Sequence, residues 1–273
     1  MATLYLVGTP IGNLEDMTLR ALRILREVPL IAAEDTRTTG RLLQHFGLDT
    51  RLVSFFEHNE RERVPELLAW LDSADLALVS DAGMPGLSDP GYRLVQAAIA
   101  AGHTITPIPG PTAAITALVS SGLPTDQFLF VGFLPRQAKA RRTALQGVAA
   151  LPYTLVFYEA PHRLLDLLVD IQSILGERSV CVGRELTKLY EELWRGPAGE
   201  ALMHFGRTER VRGEVTVVVA GASPTPPVWE EAQVRARLGE LLAGGLPPGE
   251  AATRVAAEAG WRRRAVYRLT HQA

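Results

Sequence analysis

Ser80-Asp81-Ala82-Gly83-Met84-Pro85-Gly86-Leu87-Ser88-Asp89-Pro90-Gly91 is the stretch whose reading decides the fold. Before it stands the apolar run Leu76-Ala77-Leu78-Val79, a buried strand by its length and composition. After it, Tyr92 to Ile99 carries apolar residues at helical spacing. A strand, a glycine- and proline-rich loop and a helix form the setting in which α/β proteins bind small ligands. Glycine lets a backbone approach its ligand closely, and proline holds that backbone still.

The same unit recurs on the N-terminal side. Thr3 to Val7 predicts a strand, Gly8-Thr9-Pro10-Ile11-Gly12-Asn13-Leu14 a tight turn, and Asp16 to Leu25 a helix. Leu30 to Ala33 is a second strand that ends in Glu34-Asp35-Thr36-Arg37. These polar groups face the crevice at the strand ends, or Asp35 or Thr36 caps the helix over Gly40 to His45; the two roles are compatible. Leu52 to Phe55 predicts a strand, Glu62 to Asp72 a helix, and Thr104 to Ile108 another strand. Pro109-Gly110-Pro111-Thr112-Ala113 then opens a helix that reaches Ser121, and the free N–H groups of such a helix start favour an acceptor. Residues 1–121 thus read as a Rossmann-like α/β domain, most of its strands parallel. Neither G-x-G-x-x-G nor G-x-x-x-x-G-K-[ST] occurs, which argues against NAD and the usual ATP and GTP modes.

Residues 122–222 predict a second α/β domain. Its strands are Phe128 to Phe133, Thr154 to Tyr158, Ser179 to Gly183 and Val215 to Ala220, the last too apolar for a sheet edge. Pro135 to Gly147 reads as a basic helix, and His162 either as a local cap for the helix at Leu164 to Leu168, the role its position favours, or as a substrate contact. Arg184-Glu185-Leu186-Thr187-Lys188 ends one strand. Lysine occurs in this chain only at Lys139 and Lys188, and lysine, unlike arginine, is able to lose its proton on burial. Ser223-Pro224-Thr225-Pro226-Pro227 is a linker by composition. Residues 228–273 follow as a helical tail that resembles a helix-turn-helix, with Arg262, Arg263, Arg264 and Arg268 beside Trp261 and Tyr267.

The 273 residues carry a formal net charge of -2, so no global field draws the protein to nucleic acid, although arginines cluster at 136–142, 207–212 and 262–268. No apolar run is long enough to span a membrane, and no signal-peptide pattern opens the chain. The single cysteine, Cys181, lies in an apolar run and reads as core. The expected compartment is the cytoplasm.

Five motifs taken together resemble one family. Gly8 to Leu14, Ala33-Glu34-Asp35-Thr36-Arg37, the Ser80–Gly91 loop, Pro109 to Ala113 and Arg184 to Lys188 fall in the order seen in the ribosomal RNA small-subunit methyltransferase I family, and the likeness extends over nearly the whole chain. That family belongs to the tetrapyrrole-methylase superfamily of S-adenosylmethionine enzymes. The resemblance implies two α/β domains with the cofactor in the cleft between them, usually in a homodimer. It implies 2′-O-methylation of a cytidine in the decoding region of 16S ribosomal RNA, in the bacterial cytoplasm.

Residues similar to the superfamily's cofactor shell are Pro10, Asp81, Ala82, Gly83, Met84, Ser88, Gly110, Thr112 and Ala113, with Tyr158, Arg184 and Glu185 closing over them. Asp81 is expected near the sulfonium, and Asp89 as the cap of the helix from Tyr92. The cofactor has no phosphate, which agrees with the missing phosphate motifs. A ribose hydroxyl attacks an already activated methyl group, so positioning supplies much of the rate and a base adds to it. The candidate bases are Lys188, if neutral, or Glu185, with Asp35 and Arg37 orienting the nucleotide. Two other readings stand beside this one: a tetrapyrrole or protein methylase of the same fold, and a nucleic-acid-binding regulator that uses the arginine-rich tail.

Overall fold

A computed structural model describes residues 2–207, 210–223 and 229–270. Contacts divide the chain into two compact units, Met1–Gly221 and Ala222–Ala273. The first contains two five-stranded sheets.

The first sheet is built from β1 (Thr3–Val7), β2 (Ile31–Ala33), β3 (Leu52–Ser54), β4 (Leu76–Val79) and β5 (Thr104–Ile108). All its pairings are parallel, in the order β3-β2-β4-β1-β5. The apolar runs of β2 and β4 are buried at every position, as interior strands of a sheet covered on both faces must be. Helices α1 (Leu19–Glu27) and α2 (Thr36–His45) cover one face through Ala21, Ile24, Leu25 and Leu43. Helices α3 (Glu60–Leu71) and α4 (Tyr92–Ala100) cover the other through Leu67, Leu71, Leu94 and Ala98.

This order has a switch point. From β1 the chain leaves across one face towards β2, and from the neighbouring β4 it leaves across the other face towards β5. The loops after β1 and β4 therefore diverge and open a crevice between them. Gly8–Leu14 and Ser80–Gly91 are those two loops.

The second sheet holds β6 (Phe128–Phe133), β7 (Thr154–Glu159), β8 (Ser179–Arg184), β9 (Glu192–Pro197) and β10 (Val215–Val219), in the order β6-β7-β10-β8-β9. The apolar β10 is its central strand and runs antiparallel to both neighbours. One face packs on α6 (Ala138–Val148), α7 (Leu164–Leu175) and α8 (Ala198–Gly206). The other face takes α5 (Ala113–Ser120), whose Ala114, Ala117 and Leu118 join Val156, Cys181 and Val218 in one cluster with Ile11. The helix that ends the first set of strands thus rests on the second sheet, and Cys181 is a buried free cysteine.

Sequence patterning assigns no element to residues 193–206, where the structure has β9 and α8. β9 is an edge strand with only Leu193 and Trp194 as apolar residues, so it has no continuous apolar run to betray it. Among the arginines of α6, Arg141 is 3% exposed, so this helix is less of a basic surface than its composition suggests. Its Nε donates to Asp170 at 2.7 Å, and Arg142 Nε donates to the other Asp170 oxygen at 2.8 Å.

In the second unit, α9 (Glu231–Ala243), α10 (Pro248–Ala259) and α11 (Arg263–Leu269) share a core of Val234, Leu238, Val255, Ala259, Val266 and Leu269. Trp261 Nε1 donates to the Trp229 carbonyl at 2.8 Å. Arg262, Arg263, Arg264 and Arg268 are exposed. The linker expected over Ser223–Pro227 falls, except for Ser223, outside the described residues, as does part of the 207–212 arginine cluster.

Candidate functional site

Two loops of the first sheet lock together at the switch point. Thr9 and Gly83 form an isolated antiparallel bridge, with Thr9 N–H to Gly83 carbonyl at 2.9 Å and the reverse bond at 3.0 Å. Thr9 Oγ1 adds a bond to the Ser80 carbonyl at 3.1 Å. The loop after β5 closes in from the other side. An added Cβ at Gly8 would lie 2.7 Å from Gly110 Cα and 2.8 Å from Met84 Sδ, so only glycine lets these two turns touch. At its far end the Ser80–Gly91 loop is pinned by Gly91 N–H donating to the buried Glu60 at 3.1 Å.

Between these loops and the second sheet lies a cleft of about 350 Å³. Of the cofactor-shell residues expected from the sequence, Ala82, Gly83, Met84, Ser88, Thr112, Ala113 and Tyr158 line it. Tyr158 stands on β7, edge-on to Phe130 at 5.0 Å, and its hydroxyl accepts from Ala114 N–H at 3.2 Å. This bond ties the second sheet to the first turn of α5, which Thr112 caps through Ile115 N–H. Burial raises the Tyr158 pKa, the Ala114 bond opposes the rise, and the Asp89 charge adds to it.

Five expected shell residues stand elsewhere, among them Glu185, which is bound to Lys188 at 2.8 Å outside the cleft lining. Pro10 and Asp81 line a second recess of about 240 Å³, with Thr9, Gly12, Thr38 and Arg41. The Thr9–Gly83 bridge is the wall between the two spaces, since Thr9 lines one and Gly83 the other. Gly110 packs against Gly8. Arg184 is bound to Glu192 at 2.8 Å and lies outside the cleft lining.

The expected proton acceptors form a clamp. Lys188 Nζ pairs with Glu185 Oε1 at 2.8 Å and Glu214 Oε2 at 3.1 Å. Burial alone would lower the lysine pKa, but its bonds to Glu185 and Glu214 and their charges outweigh burial and raise it. A neutral Lys188 acting as a base therefore does not fit this geometry. The Lys188 bond likewise holds the Glu185 pKa below its ordinary value, which makes Glu185 a weak base. The backbone at Glu185 and Thr187 takes positive φ, 51° and 67°, so this turn is held in a form that side chains rarely adopt.

Asp35 accepts from Arg37 N–H at 2.8 Å and caps α2. Its ion pair with the Arg37 side chain is exposed and lowers the Asp35 pKa to about 2. Glu34 and Asp81 cross-link the loops after β2 and β4: Asp81 N–H donates to Glu34 at 3.2 Å and Asp35 N–H donates to Asp81 at 3.1 Å.

Two expected caps are absent. Gly91, at φ 137°, starts α4 with no side-chain cap, so Asp89 does not cap that helix. It lines the cleft instead, one residue after the positive-φ turn at Ser88, φ 67°. His162 is exposed and caps neither its own short helical turn nor α7. Cleft residues that the sequence reading missed also include Ile11, Phe133, Leu186 and Glu214.

Comparison with known proteins agrees with this architecture. Residues 3–202 match the family model of tetrapyrrole (corrin/porphyrin) methylases. The chain is 49% identical to a protein of Halalkalibacterium halodurans named ribosomal RNA small subunit methyltransferase I, over 99% of this chain and 95% of that one. It is 50% identical to a protein of the same name from Synechocystis sp., over 99% of this chain and 98% of that one. The crystal structure of uroporphyrin-III C-methyl transferase from Thermus thermophilus, complexed with S-adenyl homocysteine, superposes with a TM-score of 0.55 at 21% identity, covering 80% of this chain and 97% of that one. With a family model matched over residues 3–202 and relatives about half identical over almost their whole length, the chain belongs to the tetrapyrrole methylases, in the ribosomal RNA small-subunit methyltransferase I family.

Proposed function

We propose that this protein transfers a methyl group from S-adenosylmethionine to the 2′ hydroxyl of a cytidine in the decoding region of 16S ribosomal RNA. The observation that carries this reading is the pair of recesses sharing the Thr9–Gly83 wall. One is an apolar cleft with carboxylates at its rim, Asp89 and Glu214; the other carries Thr38, Arg41 and Asp81, groups suited to a polar nucleotide. The names of the relatives supply the substrate class.

The cleft fits S-adenosylmethionine in its chemistry. The cofactor is a cation without phosphate, and the cleft offers apolar walls, backbone edges and half-buried Asp89 rather than a phosphate loop. Met84, Thr112, Ala113 and Tyr158 would hold it, with Ala82 and Gly83 contributing backbone. When bound, it supplies a methyl group already activated on a sulfonium. The chain's own task is then to fix the hydroxyl against that methyl group and to receive its proton.

The protein works as a homodimer in the bacterial cytoplasm, on 16S ribosomal RNA within the small ribosomal subunit. Leu19, Val119, Leu189 and Tyr190 expose large apolar side chains that a second copy would cover. The exposed arginines of the tail suit contact with RNA phosphates. No helix among the described residues is long and apolar enough to cross a membrane. Mapping ribose methylation in ribosomal RNA from cells lacking the gene tests the reading. One decoding-region cytidine is expected to lose its 2′-O-methyl group and regain it on complementation. A complete set of methylations in those cells would overturn it.

A further inference from the structure

The reaction releases one proton, and the groups that first suggest themselves as acceptors are already engaged. Lys188 and Glu185 neutralise each other. Glu34 and Asp81 bind each other's loops through backbone N–H groups. Asp35 is held by Arg37 and by the start of α2. Glu159 lines the cleft, but its side chain is fully buried, one oxygen bound to Ala160 N–H at 2.8 Å and paired with Arg163, the other sealed away without a partner.

Asp89 differs from all of these. It is a half-buried carboxyl that lines the apolar cleft and has no arginine or lysine partner among the charges that act on it. Its loop is fixed at both ends, by the Thr9–Gly83 bridge and by Gly91 on Glu60. Midway, Ser88 Oγ sits against the bulge of β6, 3.2 Å from where a Gly132 Cβ would be, so the loop reaches the second sheet. A carboxylate on such a mount is presented to the cleft with little freedom.

We propose that Asp89 is the proton acceptor for the substrate hydroxyl, an inference that rests on the methyl-transfer reading above. The hydroxyl oxygen bonds to the methyl carbon as the carbon–sulfur bond breaks, its electron pair staying on sulfur. The hydroxyl proton passes to an Asp89 carboxylate oxygen and leaves to solvent after product release. The charges facing Asp89 suit this cycle. Burial pushes its pKa up to about 7, helped by the Glu34 charge, opposed by a Ser80 bond, and helped again by Asp81. Tyr158, Glu159 and Glu214 complete the ionisable lining of the cleft, and Lys188 is spent on Glu214. A sulfonium in the cleft favours the ionised carboxylate, and the neutral thioether left by transfer no longer does. Asp89 therefore becomes a better proton holder at the moment when a proton needs a place.

Two measurements test this on the full-length protein. The first is affinity by calorimetry between about pH 6 and about pH 8. Wild type should bind cationic S-adenosylmethionine up to about tenfold more tightly at the upper pH, relative to neutral S-adenosylhomocysteine, because only the ionised fraction of Asp89 favours the cation. In Asp89→Asn that difference should vanish. The second is single-turnover methylation of unmethylated small subunits at saturating cofactor. Asp89→Asn should slow it by roughly 10²–10⁴-fold, and Asp89→Glu should recover part of the rate. An Asp89→Asn protein with the wild-type single-turnover rate overturns the inference alone. Weaker binding of both cofactor forms with no change in saturated rate also overturns it, making Asp89 only a binding group. Wild-type protein that methylates no ribose overturns the functional reading itself.

Discussion

The two sheets meet the same cleft with different materials. The parallel sheet presents much backbone: beside Met84 and Asp89, the lining residues Ala82, Gly83 and Ala113 have little or no side chain, and the loops after β1 and β5 touch where Gly8 meets Gly110. The mixed sheet presents side chains: Tyr158 reaches over to α5, and Lys188 gathers Glu185 and Glu214 at the rim. The difference follows from topology. Parallel strands end together at a switch point, and their loops diverge so that main chain lines the gap. In the mixed sheet β10 runs against its neighbours, so strand starts and strand ends share the rim, and the side chains of Glu185, Lys188 and Glu214 add to the backbone bonds between them. A wall made of backbone fails when a side chain is added. A wall made of side chains fails when one is removed.

The largest expected effect is a removal, deep in the second half. Asp170 is 1% exposed and answers Arg141 at 2.7 Å and Arg142 at 2.8 Å, joining α6 to α7. Asp170→Ala leaves the buried Arg141 guanidinium only the distant Asp166 carboxylate at 3.8 Å and should destabilise the fold by roughly 3–5 kcal/mol in urea denaturation. Replacement of both Arg141 and Asp170 by apolar residues of similar volume should recover much of that loss, which a mere cavity would not allow.

Next comes an addition in the first half. Gly8→Val places carbon within 2.8 Å of Met84 Sδ and against Gly110, so the two turns must part. Overpacking of this kind costs roughly 1–3 kcal/mol. The sharper readout is cofactor affinity, because the displaced Met84 lines the cleft. Calorimetry should show affinity falling far more than stability explains. Equal affinity in a stable Gly8→Val protein would mean that the backbone wall is not a binding surface.

Most of the parallel half was legible in the sequence, and the reason is physical. Each strand there is a short apolar run, each loop carries glycine or proline, and function gathers at carboxyl ends of strands. Leu76–Val79 and the Ser80–Gly91 loop were read in that way, and Ala82, Gly83 and Met84 do line the cleft. The rule misleads in the mixed sheet. Glu214 precedes β10, and it is the start of this antiparallel strand that meets the cleft, so a search of strand ends passes over it. Asp89 was hidden differently. An aspartate two residues before a glycine and a helix looks like a cap, and only the folded loop shows that it lines the cleft while Gly91 starts the helix. Lys188 stood out because lysine is rare in this chain, but rarity did not disclose its two carboxylate partners.

Tyr158→Phe separates the ring from its hydroxyl. The ring keeps its place against Phe130 and Phe133, and Ala114 N–H loses its acceptor. The expected loss is about 0.5–1.5 kcal/mol, since the helix start lies at a cleft that water enters. Faster amide exchange at Ala114, with β7 amides unaltered, would place that loss at the bridge between the sheets. Uniform exchange changes would show that the hydroxyl supports no particular contact.

The smallest effect is the most diagnostic for the rim. Lys188→Met removes the cation while keeping the stem that packs against Gly12. Both carboxylates sit at a partly open surface, so the loss at neutral pH should be only about 0.2–1 kcal/mol. Its pH dependence carries the information. The Glu185 pKa is lowered in the fold, so its share of stability is present above the ordinary carboxylate pKa and disappears as pH falls through the lowered value. The Lys188 pKa is raised, so its share is complete below the ordinary lysine pKa and disappears as pH climbs through the raised value. Wild type and Lys188→Met should therefore differ in melting temperature between these two limits and converge beyond each. A difference that persists in strong acid, below the lowered Glu185 pKa, would show that the lysine stem and not its charge holds the rim, and the contrast between a backbone wall and a charged wall would narrow to one of packing alone.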